Sequence, residues 1–197
     1  MKMKIESVHL GAVVTLQPEF FEDHRGFFLE SFRMDQMEEL GLPSNFVQDN
    51  HSGSVKGVTR GLHFQWQPPM SKLMRVTVGE AFLVAVDIRK GSPTLGQWYG
   101  EVVTAKNRKQ IWAPAGFARG FTVLSDWAEI QYKVTGLYNP KAESGILWND
   151  PEIGIEWPVK EPILSDKDAK AQTLAQWLET PESDNFIYKA DEYHFNI

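Results

Sequence analysis

The feature that most limits the fold is a series of short runs rich in Val, Ile, Phe, Tyr and Trp, cut apart by glycine and proline. They are Gly26 to Phe32, Lys72 to Val78, Glu80 to Ile88, Trp98 to Val103, Gly120 to Leu124 and Glu129 to Thr135. β-Branched and aromatic side chains suit a pleated, half-buried surface, so such runs bounded by turn formers read as strands. Many short strands at this spacing predict a mainly β protein, a sandwich or barrel. Two stretches read as short peripheral helices instead. One is Met34 to Leu40, ahead of Gly41, and the other is Asp166 to Leu178, with Ser165 as N-cap and Asp168 at the third helical position.

At 197 residues the chain is expected to form one domain over about residues 1–180, with 181–197 as an extension packed on the body or on a partner subunit. Phe186, Tyr188, Tyr193 and Phe195 argue against a wholly disordered tail. The net charge of −6, without a long Lys/Arg run, argues against nucleic acid as partner. With no cysteine, disulfides, thiolate nucleophiles and cysteine-ligated zinc are excluded. Neither an apolar signal core near Met1 nor an apolar run of spanning length is present, so no membrane contact and a soluble, cytoplasmic protein are expected.

The chemistry gathers in Gln48-Asp49-Asn50-His51 and Arg60-Gly61-Leu62-His63-Phe64-Gln65. Histidine takes a proton near neutrality without strong tuning, which makes His63 the candidate base. A hydrogen-bonded or surface histidine is the plain alternative for any one of the five in the chain. In Glu129 to Val134, alternate residues share a face, so Tyr132 goes inward with Ile130 and Val134. There it either fills space or offers a phenol proton to a ligand inside a barrel. The same parity sends Arg60 and His63 to opposite faces of a regular strand. A bulge at Gly61 would bring both to one pocket.

A metal-binding barrel of the cupin kind needs a His-x-His pair and a later histidine. Here the pair reads His63-Phe64-Gln65, and Arg119 stands where the later imidazole would be. An arginine cation repels a metal, so no metal and no other cofactor is expected.

Beyond these, the segments His24 to Glu30, Phe46 to Ser52, Arg60 to Gln65, Lys72 to Val76, Asp87 to Thr94, Gln131 to Lys133 and Trp148 to Pro151, in this order, resemble the dTDP-4-dehydrorhamnose 3,5-epimerase family from about Val13 to Asp168. The resemblance implies a cupin-type jelly-roll barrel acting as a metal-free homodimer in the pathway to activated rhamnose. It implies a nucleotide-sugar substrate, dTDP-4-dehydro-6-deoxy-D-glucose, inverted at C3 and C5. His63 is then the base, Tyr132 the opposing acid, Asp168 the carboxylate that orients His63, and Lys72 the cation facing the ketone oxygen. Without the resemblance, Asp168 reads as helix-start solvation and Lys72 as a solvated surface lysine. Arg25, Glu30, Gln48, Asp49, Asn50, Arg60, Glu143 and Lys167 match positions that contact nucleotide, diphosphate or sugar, with Tyr138 a further contact to the nucleotide. Arg25 and Glu30 also read as an exposed ion pair. Trp66 or Trp112 could stack on thymine.

One position departs from the family pattern: Phe-Ala-His-Gly-Phe there reads Phe117-Ala118-Arg119-Gly120-Phe121 here. Arg119 is expected to contact the substrate, and it opens the alternative of a single-centre epimerase on a related deoxysugar. A binding protein without catalysis is the other alternative. Retention of His63, Lys72 and Tyr132 together favours the enzyme.

Overall fold

The computed structural model describes residues 1–190 and 192–196. Its strands, in chain order, are β1 (Met3–His9), β2 (Val13–Pro18), β3 (Phe20–Asp23), β4 (Gly26–Leu29), β5 (Gln48–Val55), β6 (Thr59–Gln65), β7 (Lys72–Val78), β8 (Glu80–Asp87), β9 (Trp98–Thr104), β10 (Gln110–Ala113), β11 (Phe117–Val123), β12 (Trp127–Val134) and β13 (Glu143–Gly145). Helix α1 (Met34–Glu39) precedes β5, and α2 (Asp166–Ala169) and α3 (Leu174–Leu178) follow β13.

Strands β5 to β12 pair as nested hairpins, β8 with β9, β7 with β10, β6 with β11 and β5 with β12, all antiparallel. Successive nested pairs alternate between two sheets, ordered β1-β2-β10-β7-β12-β5 and β13-β6-β11-β8-β9. This is the expected jelly roll, a long hairpin rolled into a barrel. Strands β1, β2, β5, β6, β10 and β13 extend the sheets beyond the runs read from composition, and the expected strand from Gly26 to Phe32 ends at Leu29, paired back on β3.

Three apolar clusters follow from strand alternation. Met74, Val76, Leu83, Ala85, Phe117, Phe121, Ala128 and Ile130 point between the two sheets and fill the barrel. The outer face of the β6–β11–β8 sheet turns Leu62, Phe64, Val84 and Val86 against Ile146, Leu174, Trp177 and Phe186 from the C-terminal part of the chain. With both faces covered, β11 is buried at every residue. The other sheet's outer face packs Val14, Leu16, Leu73 and Trp112 under Met37, Leu42, Tyr193 and Phe195. The tail therefore touches both outer faces. The 181–187 stretch begins with a 3₁₀ turn, Pro181–Asn185, and Lys90 donates its backbone N–H to the Phe186 carbonyl at 2.8 Å.

The helix expected from Asp166 to Leu178 is two helices. Its first part is capped as expected: the Ser165 hydroxyl accepts the Asp168 N–H at 3.1 Å. The chain then leaves the helix because the Gln172 carbonyl accepts the Leu147 N–H at 2.7 Å. Thr173 starts a new helix with a capping box to Gln176, while the Asp150 carboxylate accepts the Leu174 N–H at 2.7 Å. A second N-cap signal inside an apparently continuous pattern outweighed its periodicity. Among the described residues, no helix is long and apolar enough to cross a membrane.

Candidate active site

Strand β6 carries the pivotal irregularity. His63 lies opposite Arg119 and Arg60 opposite Phe121, so Gly61 and Leu62 on β6 face the single Gly120 on β11. Antiparallel partners share a face, and Phe121 fills the barrel, so both Arg60 and His63 turn inward across this bulge. Only glycine fits there: Gly61 has φ +122, and a Cβ on it would stand 2.6 Å from Gly120 Cα. The expected role of Gly61 is met.

His63 and Tyr132 stand on opposite walls. His63 belongs to the β6–β11 sheet, while Tyr132 on β12 points inward from the facing sheet, alongside Ile130 and Val134 and half-buried against the barrel core. Burial pushes the Tyr132 phenol up, Arg60 counters it and Glu143 reinforces it. The net rise keeps the phenol protonated near neutrality, fit to donate.

His63 Nε2 meets Asp168 Oδ1 at 2.5 Å, from the first turn of α2. Burial alone would raise the Asp168 carboxyl, but His63, the Ser165 hydroxyl and the Gly61 N–H outweigh it and hold it below the usual carboxylate range. Asp168 thus stays ionised and fixes the imidazole. On the other side of β6, Gly145 is the residue opposite His63, and a Cβ there would meet Leu62 O at 3.0 Å and His63 Cδ2 at 3.4 Å. At the β13 position beside the ring there is thus no side chain to crowd it.

Lys72 begins β7 and reaches back across the interior, its Nζ 3.4 Å from the His63 carbonyl. It is half-buried rather than a solvated surface lysine. Burial brings its ammonium down to about 8, with Arg119 and Lys167 lowering it and Glu143 opposing. Arg119 crosses the interior in the other direction, its Nε donating to Val84 O at 3.1 Å and its Nη1 to Lys72 O at 3.4 Å.

The inward face of β5 adds a polar ladder. Asn50 lies opposite Tyr132, and its Oδ1 accepts from Gln48 Nε2 at 2.9 Å. Gln48 Oε1 in turn accepts the Tyr138 N–H at 3.0 Å. Farther along, Arg60 Nε donates to Ser54 Oγ at 3.2 Å. At the rim, Glu143 accepts from Lys167 Nζ at 2.5 Å and from the Tyr138 hydroxyl at 3.3 Å. Arg60, His63, Lys167 and Asp168 together line an open cavity of about 270 Å³, with Val58, Ile163 and Leu164 as its apolar part.

Three expected contacts lie elsewhere in the single chain. Asp49 pairs with Lys133 at 2.9 Å on the outer face of β5 and β12, away from Tyr132, because neighbouring strand residues alternate. Arg25 sits exposed on the β3–β4 hairpin, bonded to Asp23 at 2.5 Å, whereas Glu30 pairs with Arg33 at 3.3 Å. The two do not form the ion pair that their spacing suggested. That hairpin borders outward-facing Arg75 across a cavity of about 300 Å³. Neither tryptophan is free to stack on a base: Trp112 is buried beneath Tyr193 and Phe195, and Trp66 packs against Phe64 and Trp177.

Ser54 and Gly145 join the site without having been read from sequence. Ser54 was accessible by the parity of β5, whereas nothing local marks Gly145 as the neighbour of His63. Among the described residues, no three His, Cys, Asp or Glu side chains gather as a metal would require.

An imidazole held by a carboxylate, a protonated phenol on the facing wall and two inward cations, Lys72 and Arg119, can remove and return a proton beside a carbonyl. Comparison with known proteins leads to the same chemistry. The family model described as dTDP-4-dehydrorhamnose 3,5-epimerase matches residues 7–176. The dTDP-4-dehydrorhamnose 3,5-epimerase of Salmonella typhimurium strain LT2 is 55% identical over 171 residues, covering 85% of this chain and 93% of its own. That of Pseudomonas aeruginosa PAO1 is 50% identical over 175 residues, covering 88% and 97%. A crystal structure of the 3,5-epimerase of Legionella pneumophila Philadelphia 1, in complex with dTDP-4-keto-L-rhamnose, superposes with a TM-score of 0.89 at 46% identity, covering 95% of this chain and all of that one. With the model match spanning most of the sequence and the barrel shared, the chain belongs to the dTDP-4-dehydrorhamnose 3,5-epimerase family of isomerases.

Proposed function

We propose that this chain epimerises dTDP-4-dehydro-6-deoxy-D-glucose at C3 and C5, giving dTDP-4-dehydro-L-rhamnose. The observation that carries the reading is the placement of His63 and Tyr132 on facing sheets of one barrel, both turned inward. Both carbons flank the C4 ketone, whose electron withdrawal acidifies their hydrogens. His63 takes the proton, the C–H electron pair moves into the enolate, and Lys72 holds the charge that appears on the oxygen. Tyr132 then gives its proton to the same carbon from the other face. One inversion leaves imidazolium and phenolate, and exchange with water resets both before the second. Asp168 keeps the imidazole oriented and stabilises its charged form.

Arg60 and Lys167 supply charge for the diphosphate, and Gln48, Asn50, Tyr138 and Glu143 surround the nucleotide and sugar. Phe21, Phe27 and Phe28 are exposed on the hairpin that carries Arg25. In the proposed homodimer this apolar surface packs on a second copy and brings that copy's hairpin, with Arg25 and Glu30, to a nucleotide. Light scattering with Phe27→Glu tests the association. A wild-type monomer, or a dimer untouched by the substitution, contradicts it. A soluble cytoplasmic setting accords with the lack of cysteine.

Incubation with the substrate in deuterated water tests the reaction. The expected result is deuterium at C3 and C5 alike. Uptake at one carbon would make the chain a single-centre epimerase, and none at either would make it a binding protein.

A further inference from the structure

We infer that Arg119 is a second donor to the oxygen that becomes negative in the enolate, sharing it with Lys72, and that this contact governs how fast the C–H bond breaks; the inference rests on the epimerase reading above. Arg119 points into the barrel between Phe117 and Phe121, opposite His63, and is only 3% exposed. Two of its three nitrogens donate to backbone carbonyls, Val84 on the neighbouring strand β8 and Lys72 on β7 of the facing sheet, which fixes the guanidinium plane. The third, Nη2, is buried and has no hydrogen-bond partner in the protein. A buried donor of this kind is costly unless something accepts from it.

Charge points to what that acceptor is. Among the described residues neither Arg119 nor Lys72 sits in a salt bridge with a carboxylate. Glu143, the acidic group that bears on Lys72, is held by Lys167 at 2.5 Å. Two cations meeting in a low-dielectric interior repel each other and lack a counter-charge, a debt that an anion formed between them removes. A neutral ketone offers little relief. When His63 takes the proton and the C–H pair moves onto the oxygen, the full charge appears beside both cations. When Tyr132 protonates the carbon, the pair returns and the charge is gone. Stabilisation confined to that interval lowers the barrier without tightening ground-state binding. Burial lowers both groups, Lys72 to about 8 with Arg119 as a contributing charge, yet a guanidinium keeps its proton where an imidazole at this position would not. Arg119 is therefore the member of the cation pair that stays charged across the pH range in which Lys72 titrates.

The test combines Arg119→Met and Arg119→Lys in the full-length protein, with two readouts. Deuterium wash-in at saturating dTDP-4-dehydro-6-deoxy-D-glucose reads the enolate step, and calorimetric binding of dTDP, which has no ketone, reads the nucleotide site. For Arg119→Met the saturated wash-in is expected to fall about 10²–10³-fold, as for loss of one oxyanion donor, with dTDP affinity changed less than about twofold. Arg119→Lys, which retains charge but not the fork, should lose less. The alkaline limb of the Arg119→Met rate profile should also move to higher pH, since removing a neighbouring cation raises Lys72; mere misfolding would not produce that shift. Weaker dTDP binding with wash-in intact would assign Arg119 to the diphosphate and overturn the inference, as would no change in either readout. Should Arg119→Met fail to fold by thermal denaturation, Arg119→Lys decides: unaltered wash-in and an unshifted alkaline limb would refute the role. Absence of wash-in by the wild type would count against the epimerase reading itself.

Discussion

The two ends of the barrel interior are built from the same strands and have opposite chemistry. Along β7 the inward positions run Lys72, Met74, Val76; along β12 they run Val134, Tyr132, Ile130, Ala128; along β11 they run Phe117, Arg119, Phe121, Val123. Lys72, Tyr132 and Arg119 lie toward one end, the polar mouth, and Val76, Ala128, Ile130, Phe121 and Val123 form the apolar plug toward the other. Alternation decides which side chains enter the barrel, while position along the strand decides whether they bind or merely pack.

If that division is right, the two ends should respond differently to substitution. The largest effect is expected at the mouth: His63→Ala or Tyr132→Phe should lower turnover about 10²–10⁴-fold, with little change in KM or thermal stability, as for proton-transfer groups. Steady-state kinetics beside a melting curve checks this, and a variant that melts early while turning over normally would erase the distinction. The reverse pattern is expected in the plug. Phe121→Ala should cost about 3–5 kcal/mol in denaturant titration through the cavity it leaves, while the folded fraction keeps its KM. A smaller effect sharpens the boundary through pH. In the proposed reaction Lys72 carries its charge to hold the enolate, and burial beside Arg119 and Lys167, against Glu143, brings it to about 8, so the rate should fall about tenfold per pH unit above that value. The contribution of Lys72 to stability has the opposite sign. A folded-state value below that of the unfolded chain means that the unfolded chain binds more protons between the two, so this contribution rises as pH climbs through that window. A rate profile flat to pH 9.5 or so would place Lys72 outside the reaction, given its ordinary value near 10.4.

The plug was far easier to read from sequence than the mouth. Apolar alternation located β7, β8 and β12 almost to the residue and put Tyr132 inside, because packing is all those positions have to satisfy. Strand β5 escaped notice because Gln48, Asp49, Asn50, Ser52 and Ser54 have poor strand propensity. Its inward residues line a polar opening, and that function overrides the pattern. The capping pattern at Ser165 fixed the turn that presents Asp168, but no local signal says that a residue 105 positions away completes the pair with His63. The three consecutive residues Gln48, Asp49 and Asn50 show the opposite failure. Parity forbids all three from facing one wall, and the resemblance drew in Asp49 regardless. Arg25 and Glu30 lie on a hairpin outside the barrel, where a single chain offers them no route to the mouth.

The extra residue in β6 works like a frameshift. Everything before Gly61 is read in one phase against β11 and everything after it in the other, which is why two side chains three positions apart share a wall. Removing that residue would leave the composition of the strand almost untouched, yet it would turn either the arginine or the histidine out of the chamber. In this fold the placing of an arginine and a histidine on one wall is thus encoded by a count, and a chain with every side chain retained could still lose it.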